Sequence, residues 1–190
     1  MPPPLLLAIT GASGAIYGIR ALEMLKSLAV ETHLIISAAA KITIQQETGW
    51  QICDVEALAK VVYDPLDLSA VIASGSYPTR GMLVAPCSIK TLSAVANSYS
   101  NDLIARAADV CLKEGRPLVL MVRETPLHVG HLRLMQTAAE IGAVIFPPVP
   151  SFYGHPGSVD DLVSASVGRA LARLGIDNPN FPRWEGTSPK

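Results

Sequence analysis

Apolar residues along this chain fall into short continuous runs separated by longer amphipathic stretches, and polar or glycine-rich segments punctuate the two. Leu5–Ile9 is an unbroken apolar run that, closing on Thr10, predicts a buried first strand, followed by a glycine loop at 11–14 and a helix to about Leu28. Thr32–Ser37 predicts a second strand and Ala38–Glu47 a helix, with a further short helix over Val55–Val62. Met82–Ala85 predicts a third strand, closing on Pro86-Cys-Ser88, with a helix from near Lys90 and another over Asp102–Lys113. Pro117–Val122 is the clearest strand pattern in the chain. A helix over His131–Ile141, a fifth strand over Ala143–Phe146 and an amphipathic helix over Val159–Leu174 complete the series.

Strands apolar at successive positions are buried on both faces, and helices between them supply the cover. The pattern therefore predicts an α/β fold: a Rossmann-like or flavodoxin-like doubly wound parallel sheet in three layers, α/β/α. Ligands of such a fold sit at the carboxyl ends of the strands. Residues 1–176 read as a single domain and 177–190, polar and proline-rich, as a C-terminal arm.

Composition sharpens this picture. The 190 residues are 49% hydrophobic but only 16% charged, which leaves little charge to cover a small monomer's surface. A homo-oligomer that buries part of the apolar excess is the expectation. The net charge of -1 offers no field for nucleic acid or anionic lipid. No apolar stretch approaches the ~20 residues of a membrane span, and the N-terminal Met-Pro-Pro-Pro lacks the pattern of a signal peptide. Cys53, Cys87 and Cys111 form neither a C-x-x-C pair nor an even set, so no disulfide framework or structural zinc is expected. A cytoplasmic protein is the expectation.

The loop Thr10–Gly18 follows the first strand and opens a helix, where glycines admit a phosphate or ring close to the backbone. Its glycines at 11, 14 and 18 do not match the dinucleotide spacing, and the second strand ends in Ser37 where a dehydrogenase places an acid. No tyrosine has a lysine four positions later, so a short-chain reductase is not supported either. A mononucleotide suits the loop better than NAD. His128 and His131 form H-x-x-H without a third ligand at telling spacing, so no metal is expected there. Cys87 reads as a small buried residue at a strand end rather than a nucleophile.

An ordered set of segments from Leu5 to Trp184 carries more information than any one of them. It comprises Gly11-Ala-Ser-Gly-Ala15, Glu47-Thr48, Ser74-Gly-Ser76, Pro86-Cys-Ser-Ile-Lys-Thr-Leu-Ser93 and Arg106-Ala-Ala-Asp-Val-Cys-Leu-Lys113. Arg116-Pro-Leu-Val-Leu120, Arg123-Glu-Thr-Pro-Leu-His128, Gly130-His-Leu-Arg-Leu-Met135, Phe152-Tyr153 and Arg183-Trp184 follow. In this set the chain resembles the UbiX-type flavin prenyltransferases. The resemblance implies a metal-independent transfer of a dimethylallyl group, from dimethylallyl phosphate or diphosphate, to reduced FMN. A fourth ring then bridges N5 and C6, and the prenylated FMN serves UbiD-type decarboxylases. A homododecamer is implied as well.

By the same resemblance, FMN contacts fall on Gly11, Ala12, Ser13, Ser37, Ser88, Ile89, Lys90, Thr91 and Arg123. Departure of an allylic phosphate leaves a cation and an anion, so the site needs fixed positive charge. Arg106, Lys113 and Arg169, with the Tyr153 hydroxyl, are the candidates for the phosphate. The π-face of Trp184 suits an allyl cation, although a tail tryptophan also serves as a packing anchor. Glu47 and Glu124 are the candidate proton handlers, with a raised pKa expected of a carboxylate beside an apolar ring. Ser13 and Lys113 join Glu47, Glu124 and Trp184 as catalytic candidates. Ser88 and Thr91 equally suit ordinary helix capping. The competing readings are an FMN-dependent cysteine decarboxylase and a non-catalytic FMN carrier.

Overall fold

The computed structural model describes residues 2–178, 181–184 and 186; within the C-terminal arm, positions 179, 180, 185 and 187–190 lie outside the described residues. The strands are β1 (Leu5–Ile9), β2 (Thr32–Ile36), β3 (Val61–Tyr63), β4 (Met82–Cys87), β5 (Leu118–Val122) and β6 (Val144–Ile145). All pair in parallel in the order β3-β2-β1-β4-β5-β6. Of the doubly wound orders, this is the Rossmann one, reversing direction between β1 and β4.

The helices are α1 (Ala15–Ser27), α2 (Ala38–Glu47), α3 (Ile52–Glu56), α4 (Ile89–Ala96), α5 (Leu103–Lys113), α6 (Val129–Glu140) and α7 (Val159–Ala172). Alternate residues of each strand face opposite layers. Leu5, Leu7 and Ile9 join α1 and α7 in one core, whereas Leu6 and Ala8 join α4, α5 and α6 in the other. Gly18 sets the closeness of the first layer: a Cβ there would stand 2.3 Å from the Ala85 carbonyl oxygen and 2.7 Å from Ile9 Cγ1. Only glycine lets α1 lie this near the sheet. Arg20 then ties α1 to α7 through Asp160 and, at 2.6 Å, Ser164 Oγ.

The structure departs from the sequence expectations mainly at the β2 edge. The helix expected over Val55–Val62 is not formed; α3 ends at Glu56 and the chain becomes β3. Lys60 N–H donates to the Thr32 carbonyl at 2.9 Å, and Val61, Val62 and Tyr63 pair with His33, Leu34 and Ile35. A partner strand is what makes these β-branched and aromatic residues extended, and the sheet has six strands instead of five. The expected third strand runs on to Cys87, passing through Pro86 at a register shift between Val84 and Cys87. Proline cannot donate to a ladder, and a shift is where a central strand tolerates one. No helix among the described residues is long and apolar enough to cross a membrane.

Candidate active site

The reversal of strand order between β1 and β4 leaves a crevice at their carboxyl ends, and a cavity of about 620 Å³ opens there. Gly11, Ser37, Ser88, Lys90 and Thr91 all line it. Ala12 and Ser13 continue the loop from Gly11, and Ile89 lies between Ser88 and Lys90. Two helices begin at its wall. Ser37 caps α2 by accepting the Ala40 N–H at 3.1 Å, and Ser88 caps α4 by accepting the Thr91 N–H at 3.3 Å. Capping and ligand binding do not compete here. The caps leave other amides at a site that attracts anions, with the Thr91 hydroxyl 3.2 Å from Ser88 Oγ beside them.

Glu47, the last residue of α2, reaches the glycine loop. Its Oε2 accepts the backbone N–H groups of Gly14 at 2.7 Å and Ala15 at 3.2 Å. Helix α1 has no side-chain cap from Gly14, whose φ of 96° turns the chain into the helix, so Glu47 supplies the missing acceptor. Partial burial pushes the carboxyl up, but hydrogen bonds from Ser13, Gly14 and Ala15 and the charge of Arg123 outweigh it. The net effect lowers the pKa. The raised pKa expected for Glu47 is therefore corrected: its environment is a set of donors instead of an apolar wall.

Arg123 follows β5, and its N–H donates to the Cys87 carbonyl at 3.1 Å, which carries it to the carboxyl end of the sheet. Its charge reaches Tyr17 as well, opposing a rise that burial causes in that phenol. Glu124 is exposed and accepts the Thr125 N–H at 2.9 Å. No ion pair joins Arg123 to Glu124 among the described residues.

The remaining candidates lie elsewhere on the chain. Tyr153 donates its hydroxyl to the Pro182 carbonyl at 3.1 Å and meets Trp184 edge-on, with 6.0 Å between ring centroids. Trp184 remains 65% exposed. Arg169 is exposed in the last turn of α7. Arg106 donates to the Ala73 carbonyl at 3.0 Å and pairs with Asp109 at 3.1 Å. Lys113 ends α5 in an ion pair with Glu114, just before the turn into β5. That end of α5 lies at the amino edge of the sheet, away from the cavity. One chain thus gathers the flavin candidates with Glu47 and Arg123, but does not bring Lys113 to them.

His128 accepts the Gly130 N–H at its Nδ1, 3.0 Å away, and so starts α6 two residues before the sequence pattern does. Cys87 is buried, as expected, and burial pushes its thiol up to about 12. In the sequence Thr10 reads as the end of the first strand and the start of the glycine loop, with no role of its own. It is 1% exposed, in the cavity wall, and bonds to both Pro86 and Ser88. Its place directly before the glycine loop was the available signal.

Comparison with known proteins identifies the relatives of this arrangement. A family model described as Flavoprotein matches residues 2–171. The flavin prenyltransferase UbiX of Salmonella typhimurium is 56% identical over 185 residues, covering 96% of this chain and 98% of the relative. The mitochondrial flavin prenyltransferase of Saccharomyces cerevisiae is 50% identical over 189 residues, covering 100% and 78%. A crystal structure of a UbiX protein in complex with FMN and dimethylallyl pyrophosphate superposes with a TM-score of 0.96 at 48% identity, covering 99% of this chain and 100% of that one. A dodecameric FMN-dependent UbiX-like decarboxylase from Escherichia coli gives 0.94 at 46%, covering 96% and 100%. The cysteine decarboxylase TvaF, at a TM-score of 0.64 and 14% identity, shares the fold alone. The chain belongs to the flavoprotein family and, within it, to the UbiX-type flavin prenyltransferases.

Proposed function

We propose that this protein transfers the dimethylallyl group of dimethylallyl phosphate to N5 and C6 of reduced FMN, and that the prenylated flavin passes to a UbiD-type decarboxylase. The observation that carries the reading is the full-length similarity, 48% identical at a TM-score of 0.96, to a UbiX protein that binds FMN and dimethylallyl pyrophosphate. The chain's own cavity supports it. Ser37 and Ser88–Thr91 offer two helix starts and hydroxyls to a phosphate, and Gly11–Ser13 lets a planar ring approach the backbone. Arg123, just after β5, supplies positive charge that acts on Glu47 and Tyr17.

For the transfer, Tyr153 and Arg169 hold the prenyl phosphate and Trp184 presents a π-face to the allyl cation. Arg106 and Lys113 add positive charge to the departing phosphate without a metal. Because Lys113 stands at the amino edge of its own sheet, a site that uses it draws it from an adjacent copy. This agrees with a homo-oligomer, a dodecamer by similarity to the Escherichia coli protein. The donors around Glu47 favour its ionised form, suited to accepting a proton and fixing Ser13, while exposed Glu124 is the second proton handler. Residues 1–176 form the flavin-binding domain and 177–190 the arm in this reading. The cytoplasm is its location, supported by three free thiols that suit a reducing compartment.

The test is incubation of the protein with reduced FMN and dimethylallyl phosphate in the presence of EDTA, followed by mass and absorbance of the flavin. The expected product is FMN heavier by one prenyl unit. Flavin of unchanged mass overturns the proposal, and formation restored only by Mg²⁺ overturns its metal-free part.

A further inference from the structure

The regular register between β1 and β4 ends where Ala8 pairs with Val84, and beyond it the Thr10 backbone N–H makes a longer bond, 3.3 Å, to the Pro86 carbonyl. Pro86 has no N–H to offer, and β4 shifts register around it. The Thr10 side chain adds two shorter bonds and extends the link to Ser88. Its Oγ1 donates to the Pro86 carbonyl at 2.7 Å and accepts the Ser88 N–H at 2.8 Å. The hydroxyl's single proton is committed to Pro86, so its oxygen can only accept at Ser88. With 1% of its surface exposed, Thr10 has no free hydrogen to present to a ligand.

We propose that Thr10 is a positioning residue for the flavin phosphate: its hydroxyl clamps Ser88 across the β1–β4 crevice and holds the Ser88–Thr91 helix start in register with the glycine loop. The inference rests on the reading that Ser88–Thr91 receives the phosphate. Ser88 is held on both sides, its N–H by Thr10 and its Oγ by Thr91, whose N–H and hydroxyl lie at 3.3 and 3.2 Å. Thr10 and Ser88 stand 78 positions apart; the Thr10 backbone N–H reaches only as far as the Pro86 carbonyl, at 3.3 Å, and it is the side chain that carries the link on to the Ser88 N–H. Replacing the hydroxyl by a methyl leaves the Ser88 N–H without its acceptor, and the helix start relaxes away from its anion-binding position.

The experiment compares FMN with riboflavin, the same ring without the phosphate, by equilibrium titration of the full chain. Thr10→Val is expected to weaken FMN about tenfold and to leave riboflavin unchanged, while Thr10→Ser, which keeps the hydroxyl, binds both as the parent does. If Thr10→Val does not fold, Thr10→Ala against Thr10→Ser gives the same contrast. A general structural role would weaken both flavins alike, and that result, or no change in either, overturns the inference. Thr91→Val separates the two levels. If it weakens FMN while the Thr10 variants do not, the positioning role alone falls; if it leaves FMN unaffected, the phosphate is not at Ser88–Thr91 and both readings fall.

Discussion

The Glu47 carboxylate caps a helix to which it does not belong, accepting the Gly14 N–H at 2.7 Å and the Ala15 N–H at 3.2 Å from the end of α2. A negative charge at that point also meets the positive end of the α1 dipole. The contact joins the glycine loop to the second helix, and Ser13 hydrogen-bonds the same carboxylate.

Glu47 is held ionised, so its contribution to stability has a definite pH window. A carboxyl whose pKa is depressed on folding stabilises above its ordinary value, 4.5 here, and loses that contribution as the pH falls through the folded value. Glu47→Gln should cost about 0.5–1 kcal/mol at neutral pH, the low part of the capping range because the side chain is solvent-exposed. Thermal unfolding of both proteins should show the gap near pH 7 and its disappearance well below pH 4.5. A gap that persists unchanged in acid would show that the charge does not matter.

Arg123 follows β5 and Arg169 lies in α7, and the two should fail differently. Arg169→Ala is expected to purify with FMN but to need more prenyl donor, roughly ten- to a hundredfold, for one charge-assisted hydrogen bond lost. Arg123→Ala should instead lose flavin. Flavin occupancy and donor dependence, measured side by side, decide the matter. A colourless Arg169→Ala protein with unaltered donor affinity reverses the division.

Gly18→Ala places a methyl group 2.3 Å from a backbone oxygen, where neither side can yield cheaply. The expected cost is about 1–3 kcal/mol, as for other overpacked cores. Urea unfolding measures it, and a variant as stable as the parent would mean that α1 is free to move off the sheet.

Burial raises the thiol of Cys87 to about 12 and that of Cys111 to about 11. Neither forms an appreciable thiolate at neutral pH, and neither is accessible. Alkylation of the native protein followed by mass analysis should leave both unmodified, whereas unfolded protein reacts at all three cysteines. Rapid native labelling at Cys87 would contradict its burial under the crevice.

Much of the architecture was legible because it depends on local order in the chain. Leu5–Ile9 and Leu118–Val122 are apolar at every position, and only a sheet covered on both faces buries such runs completely. The glycine loop and the Ser88–Thr91 helix start also stand in the sequence as contiguous motifs, and their place after strands sent them to the carboxyl edge. What tertiary structure alone decided are the relationships between distant segments. Val61–Tyr63 has too few residues to announce a strand, and becomes one because β2 offers it a ladder. The pKa of Glu47 was misjudged because the amides that lower it belong to a loop 33 positions away. Thr10 looked like the end of a strand until Ser88, 78 positions on, came to rest against its hydroxyl. Residue type and spacing determine the local element; which groups surround a charge or a hydroxyl is set only when the layers pack.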